Sequence, residues 1–286
     1  MTGRGMAQKS LDLIEHSRRI LADIHPTTVR GVAYQLFIRD LIENMGKPCV
    51  GKVAHLLVQA REKGIIPWEW IVDDTRQEEG VSTWNGLGEF SRQCARQYRD
   101  DFWKHQASWL KVFTEKSTII GAVKPVLDEF AVRWKVMHGY GSATALHDVA
   151  EESLNDDDRC LEILYIGDFD PSGMHMSEVD LSGRIEKYDG AVTITRIALT
   201  CDDVEAGGLP SFDIETKSKD PRFRWFRENY GYRCWELDAM NPNDLRQRIR
   251  KEILSRIDHE AWEHCKVVEA AEKESYGRYI KAWPGI

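Results

Sequence analysis

Leu161-Glu-Ile-Leu-Tyr-Ile-Gly-Asp-Phe-Asp-Pro-Ser-Gly173 decides how this chain of 286 residues is read. An apolar run ends abruptly in two aspartates, Asp168 and Asp170, followed by a Pro-Ser-Gly turn. It reads as a buried strand that delivers two carboxylates to a sheet edge. About fifty residues earlier, Leu110-Lys-Val-Phe-Thr114 runs directly into Glu115-Lys116. Three acids at the ends of two apolar strands suggest a divalent metal site. Hard cations such as Mg²⁺ take oxygen ligands and keep positions for water and phosphate. In an open parallel sheet, the C-terminal strand ends are where ligands collect.

Outward from that stretch, strand-like and helix-like segments alternate. Strands are expected at 110–114, 133–137, 161–166 and 192–199, with helices at 117–130, 142–152 and 172–187. Alternation of this kind predicts an α/β fold with a mostly parallel sheet covered by helices. Trp235-Glu-Leu-Asp-Ala-Met240 then precedes a helical region from about Asn243 to Glu274.

The N-terminal part reads differently. Leu11, Ile14, Ile20, Leu21 and Ile24 mark a first helix ended by His25-Pro26. Thr27-Thr28 can cap a second helix, whose inward register is Tyr34, Phe37, Ile38 and Leu41. After Met45-Gly-Lys-Pro48, a third helix turns Val50, Val53, Ala54 and Leu57 inward and Lys52, His55, Gln59 and Lys63 outward, stopping at Gly64. With the compact Ile65-Ile-Pro-Trp-Glu-Trp-Ile71 stretch, this fits a helix-turn-helix with a β-wing. Asp73 to Gly80 reads as a polar loop and Gly86 to His105 as a connecting helix. The expected division is a winged-helix-like domain over residues 1–105 and a second domain over 106–286.

Composition narrows the function classes. A hydrophobic fraction of 42% and ten tryptophans argue for packed globular structure. No run of about 18 apolar residues is present to span a bilayer. The first residues lack an apolar signal core, and the six cysteines are scattered singly, without the close pairs that zinc sites need. They read as reduced thiols of a cytoplasmic protein. The net charge is −8, yet residues 1–64 carry ten Lys/Arg against six Asp/Glu. That basic end is the candidate polyanion surface, with Lys52, His55, Gln59 and Lys63 as its outward face; an ordinary solvated face is the alternative.

The strand ending in Glu115, the Gly139-Tyr-Gly-Ser142 stretch before a helix and the strand ending in Gly167-Asp-Phe-Asp-Pro-Ser-Gly173 together resemble the Toprim domain. More narrowly, they resemble its version in the A subunit of topoisomerase VI and the related meiotic double-strand-break transesterases. The resemblance covers roughly residues 108–240. It implies that Glu115, Asp168 and Asp170 bind Mg²⁺, with Mn²⁺ able to substitute, for phosphodiester cleavage in duplex DNA. It also implies a homodimer and a separate ATPase partner subunit. Trp235-Glu236-Leu237-Asp238-Ala239 is similar to an acidic stretch late in that family.

Members of the family carry a catalytic tyrosine on a helix after an arginine, usually as the second of two adjacent tyrosines. Arg30-Gly-Val-Ala-Tyr34 supplies the arginine and the second tyrosine and has Ala33 at the first. Tyr34 is thus a candidate nucleophile with Arg30 as its electrostatic partner. Its place in the apolar register supports a core tyrosine equally.

Each acid has a bland reading too. Glu115-Lys116 could be an exposed surface pair, and one of the two aspartates could cap the helix that follows. His138 and His175 lie near strand ends and read as packing or surface residues. A rival enzyme reading makes Asp168-Phe-Asp-Pro-Ser172 a haloacid-dehalogenase-type phosphatase motif with Asp168 as nucleophile; it leaves Glu115 unused. A further alternative is a non-catalytic, DNA-binding regulatory subunit with a stabilising metal site.

Overall fold

The computed structural model describes residues 8–72, 82–137, 142–154 and 159–282. The first helices are α1 (Gln8–Ile24), α2 (Val29–Ile38) and α3 (Lys47–Glu62). Thr28 caps α2 through its side chain, which accepts from the Gly31 N–H. Leu21, Ile24, Val32, Leu36, Val53 and Leu57 close a core of their own beneath these helices. Lys52 and His55 are exposed on α3 and Lys63 is exposed just past its end, while Gln59 is half-buried and bonded to His55 at 2.9 Å. The Ile65–Ile71 stretch folds as a single tight turn over Trp68–Trp70, and Ile71 bridges in parallel to Thr27. That bridge is all the described residues show of the expected wing. The polar loop 73–80 lies outside them.

Helix α4 (Leu87–Gln97) is shorter than the connecting helix expected to run to His105. The chain leaves it at Tyr98, and Asp101 restarts a tight turn over Phe102–His105 by accepting from the Trp103 N–H. The cause is burial: Trp103 is 5% exposed and donates its indole N–H to Phe130 O at 2.8 Å. A continuous helix would carry that side chain away from its acceptor.

Beyond it lie β1 (Ser108–Thr114), α5 (Ser117–Glu129), β2 (Arg133–Val136), α6 (Ala143–Leu154) and β3 (Cys160–Ile166). Then come α7 (Pro171–His175), a wider π turn over Met176–Asp180, α8 (Leu181–Glu186) and β4 (Val192–Ala198). The strands form one parallel sheet in the order β2-β1-β3-β4. Each strand sends alternate residues to opposite faces. Leu164 and Ile166 join Leu110 and Val112 in the core shared with α5 and the C-terminal helices. Leu161, Ile163 and Tyr165 join Phe113 against α6 and α8. A strand buried on both faces reads as a continuous apolar run, which is why Leu161–Ile166 stood out.

The remaining elements are α9 (Cys201–Glu205), β5 (Ser211–Asp213), α10 (Phe223–Tyr230), β6 (Arg233–Trp235), α11 (Pro242–Leu254) and α12 (His259–Ala282). Strands β5 and β6 pair antiparallel in a small second sheet that the sequence pattern did not announce. Among the described residues no helix is long and apolar enough to cross a membrane.

Two arginines tie the N-terminal helices to the sheet region. Arg246 on α11 donates to Ile24 O at 2.9 Å, to Pro26 O, and to Ala122 O at 2.7 Å. Arg30 on α2 reaches Glu236, at 2.5 Å.

Candidate metal and phosphate site

The parallel sheet puts the C-terminal ends of β1 and β3 side by side, Thr114 opposite Ile166. The residues that leave those ends are Glu115 and the Gly167–Asp170 segment, so acids far apart in sequence share one cleft. Glu115, Asp168 and Asp170 line a cavity of about 610 Å³ with Arg30, Lys116 and Lys217. The structure thus brings together all three predicted carboxylates and Arg30. The exposed face of α3 lines no part of this cavity.

Each aspartate is oriented through one oxygen and charge-paired through the other. Asp168 Oδ1 accepts the Leu237 N–H at 2.8 Å, while Oδ2 lies 2.8 Å from Lys116 Nζ. Asp170 Oδ1 accepts the Gly173 N–H at 2.8 Å and caps α7, while Oδ2 lies 3.0 Å from Lys217 Nζ. The cap expected for one aspartate therefore exists, and it uses half of Asp170. Among the described residues Glu115 Oε2 is buried and has no hydrogen-bond partner.

The charges follow from this crowding. Burial, then Asp170 and Asp168, push the Glu115 carboxyl up to about 7. Burial raises Asp168 to about 6 even against the Lys116 ammonium. The unpartnered Glu115 oxygen has the chemistry a hard divalent cation takes, while Lys116 and Lys217 now occupy the aspartate oxygens that a cation would share.

The loop is held from behind by Arg196 of β4. Its guanidinium donates to Leu199 O at 2.6 Å, Gly173 O at 2.9 Å, Gly167 O at 3.0 Å, Ser177 Oγ at 2.8 Å and Asp168 O. Gly173 is required at its position: a Cβ there would sit 2.4 Å from Asp168 O.

Lys116 is not half of a surface pair with Glu115. Its ammonium sits among Asp168, Asp238 at 2.9 Å and Glu236 at 3.2 Å, and these acids hold it charged against the burial that would neutralise it. Glu236 and Asp238, which had no assigned role, prove to be the partners of Lys116 and Arg30. Against its burial, Lys116 and Arg30 keep the Glu236 carboxyl down to about 2. Nothing in the local sequence marks Lys217 or Arg196, because their partners lie in other elements.

Tyr34 is 6% exposed and its hydroxyl is hydrogen-bonded to Glu236. Burial and the Glu236 charge raise its pKa well above that of an ordinary phenol, outweighing the Arg30 guanidinium 5.4 Å from its ring centre. Among the described residues His175 packs edge-on against Trp225, at 5.1 Å. His138 and Gly139 to Gly141 lie outside the described residues. Among the described residues the three ligand atoms that lie within 4.8 Å of one another belong to His147, Asp148 and Glu151, all exposed on α6; Glu115, Asp168 and Asp170 share a cavity without closing to that spacing.

The raised acids give the site a pH signature. Without metal, Glu115 and Asp168 contribute stability that is complete below about pH 4 and is lost as pH rises through about 6 to 7. Cation binding requires the deprotonated forms, so affinity should rise over that same window. Titrating Mg²⁺ calorimetrically from pH 5 to pH 8 should show affinity increasing with pH in the wild type, with a flatter profile in Glu115→Gln. A profile without slope in the wild type would remove these carboxylates from the site.

No family model, curated protein or solved structure matches this chain.

Proposed function

We propose that this protein is a Mg²⁺-dependent, Toprim-like enzyme that cleaves DNA phosphodiester bonds with water as the nucleophile. The observation that carries the reading is the convergence of Glu115, Asp168 and Asp170 at adjacent strand ends, with Glu115 Oε2 buried and unpartnered. These three residues would hold Mg²⁺, which when bound supplies neutralisation of the phosphate oxygens and stabilisation of charge on the leaving O3′. Glu115, pushed up to about 7 without a cation, would be drawn into its carboxylate form by the Mg²⁺ it helps to hold. Arg30, Lys116 and Lys217 line the same cleft and offer cations to a phosphodiester. The exposed α3 face with Lys52, His55, Gln59 and Lys63 is the proposed contact with the duplex backbone, a contact that positions without reading sequence.

The state of Tyr34 favours water over a tyrosyl-DNA intermediate. A buried phenol that donates to a carboxylate and resists ionisation is a poor nucleophile. A phospho-aspartate at Asp168 would give Glu115, which lines the same cavity, no part in the reaction. Tyr34→Phe should keep cleavage within about threefold of wild type and lose about 1 kcal/mol of stability with the bond to Glu236. Abolished cleavage in a folded Tyr34→Phe protein would return Tyr34 to the role of nucleophile.

The deciding experiment incubates supercoiled plasmid with protein and Mg²⁺, stops with SDS, and compares gels with and without protease. Cleaved DNA whose mobility is indifferent to protease is the expected result. A protease-sensitive shift would show a covalent protein link and the transesterase reading. A second reading rests on Lys116 and Lys217, whose ammoniums already neutralise the aspartates: a subunit that binds DNA without cutting it. Tight binding with intact plasmid at every Mg²⁺ and Mn²⁺ concentration would select it. The homodimer and the separate ATPase partner remain part of the proposal, tested by sedimentation and by co-purification.

A further inference from the structure

The cations that line the carboxylate cleft, Arg30, Lys116 and Lys217, are not held alike. Arg30 is shared by Glu236, at 2.5 Å, and Asp238, at 3.5 Å. Lys116 is shared by Asp168, Asp238 and Glu236, and its side chain is 24% exposed. Among the described residues Lys217 makes its one ion pair with Asp170 Oδ2, at 3.0 Å, and its side chain is 40% exposed. The remaining acid of the cleft wall, Asp220, is committed to Arg222 at 3.1 Å. Lys217 is therefore the cation of this cleft that a single event at a single carboxylate would set free.

The backbone beneath it is fixed. Lys217 ends the tight turn Ile214–Lys217 that follows β5, and Asp213 caps that turn by accepting the Glu215 N–H at 2.8 Å. Ile214 is fully buried, and the Lys217 carbonyl accepts the Asp220 N–H at 2.8 Å. A lysine ammonium is a compact charge on a flexible stem, so it can change partner while its Cα stays in place. Lys116 is not free to do the same, because on leaving Asp168 it would still be held by Glu236 and Asp238.

We propose that Lys217 is a phosphodiester-binding residue that changes partner with the metal state of the cleft. It neutralises Asp170 when no divalent cation is bound, and after yielding Asp170 Oδ2 to the cation it binds a non-bridging oxygen of the DNA phosphate. The inference rests on reading Glu115, Asp168 and Asp170 as a cation site. An ammonium and a divalent cation repel one another on one carboxylate oxygen, so the ammonium gives way, and a phosphate restores the counter-charge it has lost. Removing Lys217 thus has two effects of opposite sign: cation binding strengthens because a competitor is gone, and DNA binding weakens because a phosphate contact is gone. A lysine that merely steadied Asp170 would weaken both when removed.

The test compares the full wild-type chain with Lys217→Met and Lys217→Arg. Calorimetric titration with Mg²⁺ in the absence of DNA should show Lys217→Met binding about fivefold tighter than wild type, the effect of deleting a part-exposed ion pair that competes for Asp170. Lys217→Arg, which keeps the charge, should stay close to wild type. Duplex affinity is then measured by fluorescence anisotropy with Ca²⁺ in place of Mg²⁺, over a series of salt concentrations. Lys217→Met should lower the slope of log affinity against log salt by about one, the loss of one phosphate contact, and Lys217→Arg should keep the slope. Lys217→Gln, which can still donate to Asp170 without a charge, takes the place of the methionine variant where thermal melting shows that one unfolded. Weaker or unchanged Mg²⁺ binding in the uncharged variant would overturn the exchange of partners, as would an unchanged salt slope. A wild type that takes no Mg²⁺ at millimolar concentration, or no duplex, would instead overturn the cation site or the DNA reading itself, and this inference with it.

Discussion

Asp170→Asn should lower Mg²⁺-dependent plasmid cleavage by about a thousandfold, equivalent to about 4 kcal/mol of transition-state stabilisation. The substitution is informative because Asp170 has two separable duties. Its Oδ1 caps α7 through the Gly173 N–H, and an asparagine carbonyl oxygen can accept that same bond. Its Oδ2 carries the charge that Lys217 now balances and that a cation would share. Asparagine thus keeps the cap and removes the charge. The melting temperature should move by only a few degrees, and DNA binding measured by gel shift should persist. Cleavage at wild-type rate in Asp170→Asn and also in Asp168→Asn would rule out the carboxylate cleft as the reaction site.

Arg196→Met is expected to have the largest effect on stability, about 3–5 kcal/mol, because several carbonyls and the Ser177 hydroxyl lose one charged donor together. Methionine retains much of the apolar stem but leaves the carbonyls of Gly167, Asp168, Gly173 and Leu199 without their shared donor. The segment that carries both aspartates is pinned by those bonds, so Mg²⁺ affinity should fall as well as the unfolding free energy. Urea unfolding and calorimetric Mg²⁺ titration measure the two separately. A protein as stable as wild type would show that the loop is held chiefly by Phe169, whose backbone bridges Trp235 and whose ring packs against Phe226, Tyr230 and Trp235.

What could be read in the chain followed from local rules. Leu161–Ile166 is apolar at every position but Glu162, and Glu162 is the one that reaches out to Arg256, at 2.8 Å. Thr28 and Asp170 announce helix starts by chemistry confined to a few residues. The expected helix to His105 failed at Tyr98 because the indole of Trp103 needed an acceptor at Phe130, well beyond any local window. Strands β5 and β6 escaped notice because three-residue strands carry too few alternations to register.

The sequence by itself determined the parallel α/β sheet, its burial on both faces and the placing of Glu115, Asp168 and Asp170 at strand ends, since each of these depends on period and on neighbours in the chain. Only the tertiary structure decided that the acids share a cleft with Lys116 and Lys217, that Glu236 and Asp238 hold Lys116 and Arg30, and that Arg196 pins the loop. It also decided that Tyr34 is buried against Glu236. The physical reason is common to all of them: charge and desolvation act through space, so an acid's pKa and a tyrosine's reactivity are set by whichever groups the fold brings within a few ångströms.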